Sequence, residues 1–164
     1  MTSDKQSAAA FIEEIERSLE KEGALEANLQ AVLDQVLTQF GCTVGTIHSL
    51  DSGAGLLRLR AQRGIPDAIM NQVQVVPVGK GMAGLAAERR EPVQVCNLQT
   101  DESGVAKPGA KETRMEGAVT VPILVGGTLR GAMGVAKPVA YEFSKAETDL
   151  LLRIGSSVGK FFES

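Results

Sequence analysis

The chain has 164 residues, the length of one domain, and can bury a continuous core without disulfides or metal ions. Hydrophobic residues make up 43% and charged residues 23%, which excludes disordered and fibrous classes. The formal charge is -3 and aromatic residues make up only 4%, so neither charge nor stacking surfaces favour binding to nucleic acid. A membrane association is not expected either, because a basic surplus is lacking.

The N-terminal sequence shows no basic region followed by an apolar run, as a signal peptide would. The longest apolar runs are far shorter than the roughly 20 residues that span a bilayer. Two cysteines, Cys42 and Cys96, are too few for the disulfide framework of a secreted protein. We therefore expect a cytoplasmic domain whose thiols are reduced.

Two helices are predicted at the start of the chain, because apolar residues recur there every three to four positions. The first covers residues 8–21 and the second ends at Gly41, a usual helix-stopping residue. We divide the chain into an N-terminal helical segment, 1–21, and a domain, 22–164. The apolar stripes of the two helices are formed by Phe11, Ile12, Ile15 and Leu19, and by Leu25, Leu29, Val32, Leu33, Val36, Leu37 and Phe40.

The pattern then changes to the alternation and β-branched content of strands. Strands are predicted over 43–50, 57–61, 73–76, 93–96, 119–125 and 129–135. A helical turn near Pro66 and an alanine-rich helix from Met82 interrupt them, and Gly126 and Gly127 form a hairpin turn. Residues 97–111 are a long polar loop of the kind that often binds ligands.

The last helix begins at Ser144, with Glu147 in the capping-box position. The order of elements is helix, helix, strands with short helices between them, hairpin and helix. This order predicts an α+β fold in which a mainly antiparallel sheet is covered by the terminal helices.

Three segments resemble the GAF domain family, in the family's order and over roughly residues 22–162. Residues 76–86, VPVGKGMAGLA, and the following Glu91-Pro92-Val93 resemble its central "G-x-G-x-x-G" and "P-V-x-V" strand. Residues 118–123 and 131–135 are similar to the centre of its sheet, and the segment from Tyr141 is similar to its closing helix.

The resemblance implies about six antiparallel strands, with the terminal helices on one face and pocket loops and short helices on the other. It implies a stand-alone sensory or regulatory domain that binds a small molecule, not yet identified, above the sheet. We expect a homodimer through the terminal helices and signalling through a partner protein or a dimer rearrangement. No cofactor, metal ion or catalytic residue is expected. The expected ligand-binding residues are Ile47, Met82, Ala83, Gly84, Cys96, Asp101, Arg114, Glu116 and Thr120.

The G-x-G-x-x-G segment, residues 79–84, also occurs in dinucleotide-binding proteins. That site requires a parallel strand–helix–strand unit, which the predicted antiparallel order disfavours. The free amides at the following helix start would instead suit a carboxylate or phosphate. Among charged loop residues, Arg114 is the first candidate for a carboxylate, because its guanidinium forms paired hydrogen bonds.

An enzyme is the main alternative, because some single-domain GAF proteins reduce free methionine-R-sulfoxide with cysteines. Their "G-K-G-x-C-G" has a cysteine where this chain has Ala83, so Cys96 would have to be the nucleophile. The only histidine, His48, could ligate haem, although a lone histidine is more often a hydrogen-bonded structural residue. A non-catalytic interaction module with an inert cavity is the remaining alternative.

Overall fold

The computed structural model describes residues 2–162, with side chains from residue 8 onward. The predicted segments 1–21 and 22–164 therefore both include positions outside the described residues. The helices are α1 (Thr2–Leu19), α2 (Leu25–Phe40), α3 (Met70–Gln74), α4 (Gly81–Arg89) and α5 (Lys145–Gly159). The strands are β1 (Val44–Asp51), β2 (Leu56–Arg63), β3 (Val75–Pro77), β4 (Val93–Val95), β5 (Gly117–Val125) and β6 (Thr128–Lys137). Short 3-10 helices cover Asp67–Ile69 and Pro108–Thr113.

The six strands form one sheet in the order β3-β2-β1-β6-β5-β4, and every neighbouring pair is antiparallel. The predicted α+β architecture is confirmed. A parallel strand–helix–strand unit is absent from residues 2–162, so the G-x-G-x-x-G segment lacks the setting of a dinucleotide site. No helix in this part of the chain is long and apolar enough to cross a membrane.

Local signals in the sequence set the helix ends. Gly41 follows α2 with a φ of 65°, a left-handed conformation that glycine adopts without a steric penalty, and its amide donates to Leu37 and Thr38 carbonyls. At the start of α5, Ser144 accepts from the Glu147 amide while the Glu147 carboxylate accepts from the Ser144 amide. The hairpin between β5 and β6 turns at Gly126 and Gly127, both with positive φ.

Helix α1 packs into the chain's own core. Its four predicted stripe residues are at most 8% exposed and join the cluster formed by α2, α5 and one face of the sheet. The turn after α1 is fastened by Asn28, whose side-chain amide donates to the Leu19 and Lys21 carbonyls. The apolar face of α1 is thus covered within one chain, and a second chain is not needed to bury it.

The two faces of the sheet carry side chains of different size. The face under the helices holds large apolar residues: Ile47, Val119, Val121, Ile123, Met133 and Val135. The opposite face holds mostly small ones at the alternate positions of β5 and β6: Ala118, Thr120, Ala132, Gly134 and Ala136. Because successive residues of a strand point to opposite faces, this alternation leaves free volume on the face away from the helices.

We expect Ile15→Ala to lower the free energy of unfolding by about 2–5 kcal/mol, because Ile15 is fully buried and its truncation leaves a cavity. Glu13→Ala, an exposed change on the same helix, should alter stability by less than about 0.5 kcal/mol. Urea unfolding followed by circular dichroism measures both. A midpoint that rises with protein concentration, together with a small effect of Ile15→Ala, would instead mean that a second chain covers α1.

Candidate functional site

A cavity of about 180 Å³ lies on the face of the sheet opposite the terminal helices. Its floor follows one row across three neighbouring strands, in which Thr46 of β1 and Thr120 of β5 both pair with Gly134 of β6. A Cβ atom at Gly134 would lie 2.8 Å from the Thr120 Oγ1 and 3.6 Å from the Thr46 Oγ1. The missing side chain at Gly134 therefore leaves room for the Thr120 hydroxyl, which a Cβ atom at this position would crowd. Apolar floor positions around this row are Val44, Ala118 and Ala136.

Segments that connect the strands form the roof. They are the 66–74 region with α3, the start of α4, and residues 106–113. Two of them meet above the cavity, because a Cβ atom at Gly109 would lie 2.5 Å from the Gln72 Oε1. Apolar side chains from these segments contribute the upper wall: Ile65, Ile69, Val73, Met82, Ala83, Ala106 and Ala110.

His48 connects the floor to the roof. It lies on β1, is 2% exposed, and its Nε2 donates to the Val73 carbonyl of α3 at 2.7 Å. A carbonyl only accepts hydrogen bonds, so Nε2 carries the proton and Nδ1 of the neutral ring is an acceptor. This Nδ1 is buried and has no hydrogen-bond partner among the described residues. An unsatisfied buried acceptor costs about 1–3 kcal/mol, which a donor on a bound molecule would recover.

Burial lowers the pKa of His48 below its ordinary value, because the buried ring loses the hydration that stabilises its charged form. The hydrogen bond to the Val73 carbonyl raises the pKa by a smaller amount than burial lowers it. The positive charge of Lys107 lowers the pKa further. The ring is therefore neutral at neutral pH, in agreement with the tautomer that the Val73 contact requires.

The charged residues that line the cavity are two lysines. Lys80 is exposed and Lys107 is half-buried, and neither forms an ion pair with a described residue. The aliphatic stem of Lys107 crosses the first residue of α4, since a Cβ atom at Gly81 would lie 3.1 Å from the Lys107 Cγ. No side chain caps this start of α4. One side of the cavity thus combines two cations with the positive end of a helix.

The structure places three of the nine expected binding residues, Met82, Ala83 and Thr120, on the cavity wall. The other six lie elsewhere. Ile47 packs in the core under the helices, and Gly84 is buried against the backbone of residues 77–79. Cys96 and Arg114 are exposed, Asp101 accepts a hydrogen bond from Ser103, and the Glu116 carboxylate accepts one from Asn97.

Thr46, Gly134, Lys80 and Lys107 also line the cavity but were not among the predicted binding residues. His48 was predicted to be only a metal ligand or a structural residue. The alternation of small and large residues along β5 and β6 was a usable signal for the floor. The lysines carried no comparable signal, because their position depends on how distant loops pack.

The two cysteines lie outside the cavity lining. Cys42 is buried beside α2, and burial raises the pKa of its thiol to about 11, with Lys137 lowering and Glu147 raising it by smaller amounts. Cys96, which follows β4, is exposed.

No group of three or more side chains that could ligate a metal ion is found among the residues that the structure describes.

We expect the free energy of unfolding to decrease as the pH falls below 6.5, the ordinary pKa of histidine. The unfolded chain then binds a proton at His48 that the folded chain, with its lowered pKa, does not, so protonation favours unfolding. Denaturant unfolding between about pH 7.5 and 5.5 measures this slope. His48→Gln should flatten it, because the chain has no other histidine. An equal slope in the variant would show that another group causes it.

The fold is shared with solved structures of low sequence identity. The GAF domain of a phosphoenolpyruvate-protein phosphotransferase from Coxiella burnetii superimposes with a TM-score of 0.79 at 18% identity, covering 93% of this chain and 90% of that chain. Free methionine-R-sulfoxide reductase from Neisseria meningitidis, solved with its substrate, gives 0.73 at 18% identity, covering 94% and 89%. The A. aeolicus Nlh2 GAF domain, in an inactive state, gives 0.72 at 23% identity, covering 96% of each chain.

These likenesses establish the fold alone, because the three proteins include both an enzyme and domains from other proteins. A search of curated proteins found no match to this chain. The model of the GAF domain family matches residues 24–163, which is most of the sequence. The chain therefore belongs to the GAF domain family.

Proposed function

We propose that this protein is a regulatory domain that binds a small molecule in the cavity between His48, Thr120 and the start of α4. The observation that carries the proposal is that His48, whose Nδ1 is buried and unpartnered, is one of the residues lining a cavity that is otherwise mostly apolar. Ligand sites in proteins are typically apolar pockets with a few polar groups that orient the bound molecule. Family membership supports a sensory or regulatory role in general.

The roof of the cavity suggests how binding would be transmitted. Val73, which accepts the His48 hydrogen bond, and residues 106–113 both contact the cavity, so a ligand would restrain two connecting segments at once. Residues 97–111 form the long polar loop that the sequence marks as a candidate for ligand binding, and the part of it that lines the cavity lies within residues 106–110. A ligand that favours the ordered roof shifts the population toward that state. A partner protein that contacts the roof would then sense occupancy.

Two finer expectations stay predictions. The first is a cytoplasmic location. Dimerisation through the terminal helices now has a weaker basis, because the stripe of α1 is buried in its own chain. Phe161, which follows the end of α5, is exposed and could still contact a second chain.

A reductase using Cys96 is the competing function, and the position of the thiols argues against it. Free methionine-R-sulfoxide reductase shares the fold, but Cys96 and Cys42 do not line this cavity, and Ala83 lines it without a thiol. Thiol reduction of a sulfoxide needs a thiolate within reach of the bound substrate. The inert-module alternative makes the opposite prediction for ligand binding and is tested directly below.

We expect a small molecule to bind the wild-type protein and to be excluded by Ala83→Leu, because the larger side chain would occupy the cavity. Native mass spectrometry of the freshly purified protein, and again after incubation with a defined library of small metabolites, measures binding. Ala146→Leu on α5 is the matched control, since Ala146 is exposed outside the cavity. Wild-type protein that binds no library member at millimolar concentration, or Ala83→Leu that binds equally, would contradict the proposal and favour an inert module.

We expect iodoacetamide to modify Cys96 rapidly and Cys42 only after unfolding, because Cys42 is buried and its pKa is raised to about 11. Peptide mass spectrometry after timed alkylation measures both rates. With dithiothreitol as reductant, the wild-type protein should reduce free methionine-R-sulfoxide no faster than the Cys96→Ser variant does. Turnover that is abolished in Cys96→Ser would support the reductase instead.

A further inference from the structure

The polar groups around the cavity are distributed in a way that restricts the chemistry of its ligand. One of the lining residues is His48, whose Nδ1 is a buried hydrogen-bond acceptor without a described partner, in a ring whose other nitrogen is held by the Val73 carbonyl. That contact fixes the tautomer, so Nδ1 receives a hydrogen bond and does not offer one. A ligand that satisfies it must carry an O–H or N–H group.

At another part of the wall are Lys80, Lys107 and the first turn of α4. Both lysines lack an ion-pair partner among the described residues, and none of the described residues that line the cavity is acidic. The Lys107 stem lies across Gly81, which brings its positive charge to the end of the helix that is itself electropositive. Such a combination stabilises an anion and disfavours a cation.

The volume of the cavity limits the size of the bound molecule. At about 180 Å³ it is somewhat larger than the engineered cavity of roughly 150 Å³ known to hold benzene. Its floor is largely apolar, so a doubly charged phosphate would lose more hydration on burial there than a carboxylate would. A compact body with one carboxylate meets both conditions.

We infer that the cavity binds a small organic acid bearing its own hydrogen-bond donor. In the proposed pose the carboxylate faces Lys80, Lys107 and the start of α4, and the O–H or N–H group donates to the His48 Nδ1. Thr46 and Thr120, which pair with Gly134 from the two neighbouring strands, offer further polar contacts along the floor. This inference rests on the proposed ligand-binding function and specifies the class of molecule for the same site.

The probes are the three hydroxybenzoate isomers and 2-hydroxy-4-methylpentanoate, which place a carboxylate and a hydroxyl at different separations on a small apolar body. Each hydroxy acid is compared with three controls. They are the same acid without the hydroxyl group, the amide of the hydroxy acid, and phenyl phosphate. Protein labelled with ¹⁵N-histidine reports on one residue, because His48 is the only histidine. We expect at least one hydroxy acid to bind and to move the Nδ1 resonance. The acid without a hydroxyl should leave that resonance in place, and the amide should bind at least about tenfold more weakly.

Lys107→Met keeps the aliphatic stem and removes the charge, and should weaken the binding of that hydroxy acid at least about tenfold. Lys111→Met is the matched control, because Lys111 is exposed and lies outside the cavity lining. The inference is overturned if none of the hydroxy acids binds at millimolar concentration, if amide or phosphate binds better, or if Lys107→Met binds normally. It is also overturned if binding leaves the Nδ1 resonance unchanged. A neutral or cationic molecule bound in the cavity and excluded by Ala83→Leu would refute this ligand class and leave the proposed function standing.

Discussion

The difference in side-chain size between the two faces of the sheet is the constraint on which the rest of this structure depends. On β5 and β6, large residues such as Val121 and Met133 alternate with small ones such as Ala118 and Gly134. The large residues pack against α2 and α5 at the density of a protein core. The small residues fill less of the space beneath the connecting segments than large ones would, and a cavity remains there. One alternating pattern thus creates both the core and the candidate site.

This packing also positions the few polar groups of the site. His48 lines the cavity and holds α3 through Val73, and its second nitrogen has no hydrogen-bond partner among the described residues. Lys107 reaches the start of α4 from a distant part of the chain, across a residue without a side chain, Gly81. Each contact joins the sheet or a helix end to a connecting segment.

Much of the fold was predictable from the sequence because its signals are local. The helix end at Gly41, the capping box at Ser144 and the glycine hairpin at residues 126–127 each depend on a few neighbouring residues, and the structure has all three. The buried faces of α1 and α2 were predictable from the continuous apolar stripes along these helices.

The site was only partly predictable. Of the residues predicted to bind the ligand, Met82, Ala83 and Thr120 line the cavity, whereas Arg114 is exposed at the end of a 3-10 helix, in a left-handed conformation. A charged residue near a predicted loop carries no information on the direction of its side chain, because that direction is set by contacts between distant segments. The alternation of small and large residues on β5 and β6 did carry such information, since the period of a strand fixes which residues share a face.

The central claim is that small floor residues leave a ligand-sized cavity above the sheet. A crystal structure determined under xenon pressure tests it most directly, because xenon enters apolar cavities of this size. The account predicts xenon above Gly134 and Ala136, on the face away from α5. A roof collapsed onto the sheet, with Met82 or Ile65 filling the space and no xenon bound there, would contradict it.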